Sequence, residues 1–158
     1  MSQLAVKPES RAMRPALEYA LPVVEKRYIR KSIQNIEDAM LVSKDKVESM
    51  PHVDHFADGL YGRELFMPAG IIVTSMIHVK DHFCFVMYGK AEVVDEFSGA
   101  QLVTGPCMMK TKAGTKRILR ILEDSLWITV HATEETDVDE IVKSVTSKTH
   151  LDDLGEGK

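Results

Sequence analysis

Two histidines stand four residues apart, at His78 and His82, among short apolar runs. A pair of neutral imidazoles is a partial ligand set for zinc, iron or nickel. A second concentration of chemistry follows. Lys110, Lys112, Lys116, Arg117 and Arg120 fall within eleven residues, the one dense basic stretch of the chain. A guanidinium grips carboxylate or phosphate through paired, charge-assisted hydrogen bonds, so a strand that turns Arg117 inward would hold an anion. The plainer alternative is a solvated strand face. Tyr61, Tyr88 and Trp127 offer rings on which a planar ligand can stack. His131, beside Thr129, suits the mouth of such a pocket or an ordinary structural hydrogen bond. His52 and His55 have a ligand-like spacing but lie in a loop-like approach. Cys84 and Cys107 have no flanking base and read as small buried hydrophobes, and the nine methionines read as core filler.

These residues must be positioned by strands. From residue 52 onward the apolar period is two, broken at Pro68-Ala69-Gly70, Gly89-Lys90, Ser98-Gly99, Gly105-Pro106 and Lys112-Ala113-Gly114. Strands are expected at 71–78, 82–88, 91–97, 101–104 and 107–110, with 117–122 and 125–132 as a pair joined at Glu123-Asp124. Seven or eight short strands with no helix between them indicate an antiparallel sandwich or small barrel. Before them, Pro8, Pro15 and Pro22 break any long helix and leave an arm. Ile29, Ile33, Ile36, Met40 and Leu41 then recur at helical steps, predicting ten to fourteen residues of helix that cover a sheet face. Val138, Ile141, Val142 and Val145 predict a short C-terminal helix behind an acidic first turn. The organisation expected is an arm with one amphipathic helix over 1–50, a barrel with its C-terminal helix over 51–150, and a frayed tail over 151–158.

The chain has 158 residues, about one domain, with 44% hydrophobic and 28% charged residues. Twenty Lys and Arg against 24 Asp and Glu give a net charge of −4, which argues against general nucleic-acid binding. No apolar run reaches the roughly 18 residues of a membrane span, and no secretory signal is read at the N-terminus. Two cysteines do not make a disulfide framework, so a reducing, cytoplasmic setting is expected.

The strand region resembles the cupin barrels. Their first motif is Gly, five residues, His-x-His, three or four residues, Glu, six residues, Gly. Here Gly70, Met76-Ile77-His78, His82 and Gly89 keep that register, with Met76 in place of the first His and His82 in place of Glu. In the second motif, Lys112-x-Gly114 replaces Pro-x-Gly, Arg117 falls on the metal-binding His, Ile121 falls on Asn, and Gly105 is one residue out of place. The stretches 59–64, 68–70, 78–82, 114–117 and 122–124, with 127–137, look closer to cupin-like proteins common in bacteriophage genomes. That likeness spans roughly residues 52–142. It implies the fold and a viral origin, with the cytoplasm being the host's, but no activity.

The fold class expected is therefore mainly β: a small cupin-type barrel or jelly roll with an N-terminal helical arm and a short C-terminal helix. Alternation would turn His78, Met76, Thr74 and Ile72 inward from one strand. His82, Cys84, Val86 and Tyr88 would face in from the next, and Arg117, Leu119 and Ile121 from a later one. The expected function is non-catalytic binding of an anionic small molecule, of the kind of a nucleotide signal sequestered by a phage-encoded protein. Its site would comprise His78, His82, Arg117, Met76, Tyr88, Trp127 and His131. No resident cofactor is expected. The rival is a metal-dependent cupin enzyme holding zinc, iron or nickel on His78 and His82, with Glu64 a spare carboxylate. A third reading is a packed virion component. Cupin barrels tend to pair, so a homodimer or higher homo-oligomer is expected.

Overall fold

The computed structural model describes residues 4–6 and 26–147. Its elements run β1 (Leu4–Val6), α1 (Lys26–Leu41), β2 (Lys46–Val47), β3 (His52–Ala57), β4 (Leu60–Met67), β5 (Ile72–Thr74), β6 (Ile77–His78) and β7 (His82–Asp95). They continue with β8 (Gly99–Thr104), β9 (Cys107–Thr111), β10 (Arg117–Ala132), α2 (Val138–Val145) and β11 (Thr146–Ser147). The expected breaks of the arm at Pro8, Pro15 and Pro22, and the tail 151–158, lie outside the described residues. Among the described residues no helix is long and apolar enough to cross a membrane.

Two long strands organise the sheet. β7 has 14 residues and β10 has 16, and they pair antiparallel nearly end to end. The sequence suggested a turn inside each; both strands bend there instead. The bend is set by bulges between Ile121 and Trp127 on β10, opposite Gly89 on β7. Gly89 has φ +96°, and a Cβ there would run into the Asp124 carbonyl and Ser125. A bulge adds twist and bends its strand without ending the ladder.

The bend divides the sheet into two leaves. One places β2, β1, β5, the start of β10, the end of β7 and β8 side by side. The other places β3, β4, the end of β10, the start of β7 and β9 in order. One core lies between them: Val73, Val93, Leu119 and Ile121 from the first leaf meet Met67, Cys84, Val86 and Trp127 from the second. Every pairing is antiparallel, and the expected mainly β fold with a helix toward each end stands.

Helix α1 covers the outside of the first leaf. Ile29, Ile33, Ile36 and Met40, each 1% exposed or less, pack on Ile72, Val94 and Ile118. The helix has 16 residues, longer than expected, and Leu41 is exposed rather than on the buried face. Beneath it lies a buried ionic cluster. Arg30 donates to Glu96 and to the Gly114 carbonyl, and Glu96 also accepts from the Lys116 backbone N–H. Lys116 Nζ donates to Glu37 at 2.7 Å and to the Ser75 carbonyl at 2.6 Å. These contacts fix the turn before β10, and so the point at which Arg117 enters the sheet.

Candidate functional site

A cavity of about 110 Å³ opens between the leaves at the end where β7 starts and β10 finishes. The ladder explains who faces it. Thr129 pairs with Cys84 and Val130 with Phe83, so the next inward neighbours are His131 and His82. His78 arrives from the other side on β6, which is held by pairing with Thr146 of β11. The three imidazoles converge. Ring centroids are 4.2 Å apart for His78–His82, and 4.7 Å for His78–His131 and for His82–His131. One ligand nitrogen from each lies within 4.8 Å of the others.

Burial holds all three neutral. His78 is pushed down to about 2 by burial first, and then by the neighbouring His82, His131 and Arg117. His131 falls to about 4, through burial and then His82. His82 is lowered too, again mainly by burial, against a weak contact of 3.4 Å to the Lys80 carbonyl. Neutral imidazoles have the lone pairs that a metal needs.

Arg117 enters the same cavity. Its Nε sits 3.6 Å from Asp95 and a terminal nitrogen 3.7 Å from the Met109 sulfur. Asp95 is itself held by the Phe97 and Ser98 backbone N–H groups. Arg63 also lines the cavity, while no aspartate or glutamate among the described residues does. Arg117 Nε, Trp127 Nε1 and Thr111 Oγ1 are buried on this wall without a hydrogen-bond partner. Polar atoms buried in that way are uncommon, and of the three Arg117 Nε faces the Asp95 carboxylate.

The remaining expected residues divide. Met76 and Trp127 line the cavity. Tyr88 does not: it is 47% exposed, because Val86 pairs with Trp127 and Tyr88 with Leu126, leaving Met87 as an extra residue that reverses the alternation. Ile72 and Thr74 also face away, toward α1, where Thr74 donates to Glu37. The expected strand over 71–78 is two short strands, and the break at 75–76 resets the phase. Glu64 is no spare ligand, since it points outward and meets His55 Nε2 at 3.0 Å. Cys84 is buried with its thiol pushed up to about 12 by burial, which suits a hydrophobe rather than a nucleophile.

Sequence reasoning placed His131 in the same binding site as His78 and His82 but did not count it as a third metal ligand. It lies outside both cupin-like motifs, and its signals were alternation with Trp127 and Thr129 and the stretch 127–137. It also left Arg63 without a role. Tyr61, stacked at 6.3 Å on His131, donates to Asp54 at 2.6 Å and adds a polar wall below the cluster.

No protein-family model and no curated protein sequence matches the chain. Solved structures do resemble it. A protein of Neisseria meningitidis is 12% identical with a TM-score of 0.45, covering 63% of this chain and 97% of that one. An acetylacetone dioxygenase of Acinetobacter johnsonii is 17% identical with a TM-score of 0.43, covering 51% and 58%. A cupin superfamily protein of Desulfitobacterium hafniense is 7% identical with a TM-score of 0.46, covering 60% and 84%. The chain is a mainly β, antiparallel protein. What those neighbours bind or act on does not carry over to this cavity.

Proposed function

We propose that the cavity binds a small anionic molecule whose charge is met by Arg117. The observation that supports this reading is the wall itself: the two guanidinium groups of Arg63 and Arg117, with no carboxylate among the lining residues. A cavity of about 110 Å³ is smaller than the roughly 300–1,000 Å³ of drug-sized sites, which favours an organic acid or oxoanion over a whole nucleotide. The resemblance to phage proteins adds that such an anion would be one made by the host and sequestered.

The histidine cluster favours a second, compatible reading. Three neutral imidazoles within 4.8 Å fit a zinc, iron or nickel ion, with His78, His82 and His131 as ligands. Such an ion would act as a Lewis acid on an oxygen of the bound anion. Asp95 is paired with Arg117 and no carboxylate is among the lining residues, so an anionic ligand would complete the charge balance of such an ion and the two readings reinforce each other. This is also the form in which the protein would be a metal-dependent enzyme.

Trp127 is the only tryptophan and lines the cavity, so its fluorescence reports on binding. Titration with small carboxylates, phosphate and nucleotides, each with and without zinc, tests the proposal. Arg117→Met is expected to weaken the best anion by about ten- to a hundred-fold, as loss of a charged hydrogen-bond donor does. Unchanged affinity would overturn the anion reading. Metal content that does not fall in His131→Ala would overturn the three-histidine site.

A further inference from the structure

Arg63 is the guanidinium of the cavity that the Arg117 reading leaves unused. The ladder sets where it stands. Thr129 pairs with Arg63 on one side and with Cys84 on the other, and Cys84 pairs with Met109. Residues directly opposite share a face, so Arg63, Thr129, Cys84 and Met109 form one inward row across β4, β10, β7 and β9. Arg117 reaches the far end of that row, where a terminal nitrogen lies 3.7 Å from the Met109 sulfur. The groups that feel each charge agree with this placement: His78, His82 and Cys84 feel Arg117, whereas Tyr61 feels Arg63. Tyr61, His131 and His82 stand in the neighbouring row toward the opening, and Leu65, Trp127 and Val86 in the row on the inner side.

Among the described residues Arg63 makes no ion pair. Asp54 lies opposite it on β3, but Asp54 Oδ1 accepts from Tyr61 at 2.6 Å and Oδ2 faces His52 at 3.9 Å. Asp95 meets Arg117 at Nε, 3.6 Å away, and not through the paired contact that a guanidinium makes with an acid it grips. We propose that the ligand is a short dicarboxylate lying along this row, with one carboxylate on Arg117 and the other on Arg63. This rests on the anion reading for Arg117 and adds Arg63 as the residue that selects the second charge. Three strand spacings of about 4.8 Å, roughly 14 Å along the leaf, separate β4 from β9. Guanidinium groups entering from both ends of such a row suit two acidic groups joined by a spacer rather than a single carboxylate. The inner row of Leu65, Val86 and Trp127 is apolar, as a methylene spacer requires, and Thr129 lies between the two ends. Two negative ends also match two guanidinium charges in a wall with no lining carboxylate.

Trp127 fluorescence of the full chain tests this, with malonate, succinate, glutarate and adipate set against the monocarboxylates of equal chain length. The wild type is expected to bind its best dicarboxylate at least about ten-fold more tightly than the matching monocarboxylate, as one further charged hydrogen bond gives. Arg63→Met should remove that preference and leave monocarboxylate affinity unchanged. Arg63→Lys, which keeps the charge, should retain part of it, and Arg117→Met should weaken both classes. A wild type that binds the two classes equally overturns the dicarboxylate inference and leaves the anion reading for Arg117 standing. So does an Arg63→Met variant that keeps the preference. Phosphate that binds more tightly than every dicarboxylate would put both guanidinium groups on one compact anion and overturn it as well. Binding of neither carboxylates nor phosphate overturns the anion reading itself, and this inference with it.

Discussion

Acid is the perturbation that reads the histidine cluster most directly. His131 is lowered from the ordinary 6.5 to about 4 and His78 from 6.5 to about 2, both chiefly by burial. The unfolded chain takes up protons near 6.5, while the fold refuses them until much lower pH. Their contribution to stability is therefore complete above about pH 6.5 and lost as the pH falls toward 4 for His131, and further for His78. One pKa unit corresponds to about 1.4 kcal/mol, so each group costs about 3 kcal/mol between pH 6.5 and 4. Together that is about 6 kcal/mol, set against a total of roughly 5–15 kcal/mol for a domain. His82 pulls in the same direction. Urea denaturation of metal-free protein at half-unit steps from pH 7.5 to 4.5 gives the slope. His78→Gln and His131→Gln should each flatten it by about one proton. A wild-type stability that does not change between pH 6.5 and 4.5 would refute the burial of neutral imidazoles.

Two further substitutions probe what holds the site in place. Glu96→Gln leaves the buried Arg30 without its carboxylate partner and should cost about 3–5 kcal/mol, read as a lowered urea midpoint. An effect below about 1 kcal/mol would mean that the cluster under α1 is hydrated. Gly89→Ala puts a methyl group against Asp124 and Ser125 at a φ of +96°, and should lose the bend and lower the melting temperature by more than 10 °C. A soluble variant with wild-type melting would show that the two long strands bend for another reason.

The sequence by itself settled the architecture and several of its corners. Period-two runs, the turns at Gly70, Gly99 and Gly114, and the helical recurrence of Ile29, Ile33, Ile36 and Met40 are local signals, because each depends on neighbours within a few residues. Each of those glycines has positive φ, as its turn requires. Cupin-like spacing carried His78, His82 and Arg117 to one neighbourhood. Tertiary structure decided the rest. A bulge is invisible to alternation, and inserting Met87 moved Tyr88 from the expected wall to the surface. The break at residues 75–76 likewise turned Thr74 toward α1 while leaving Met76 and His78 at the cavity. His131 joined the imidazoles only because β10 continues past its bend in register with β7, bringing together residues nearly fifty positions apart. Local pattern tells which side chains share a face. Only long-range pairing determines which faces meet, and the chemistry of this cavity arises where they do.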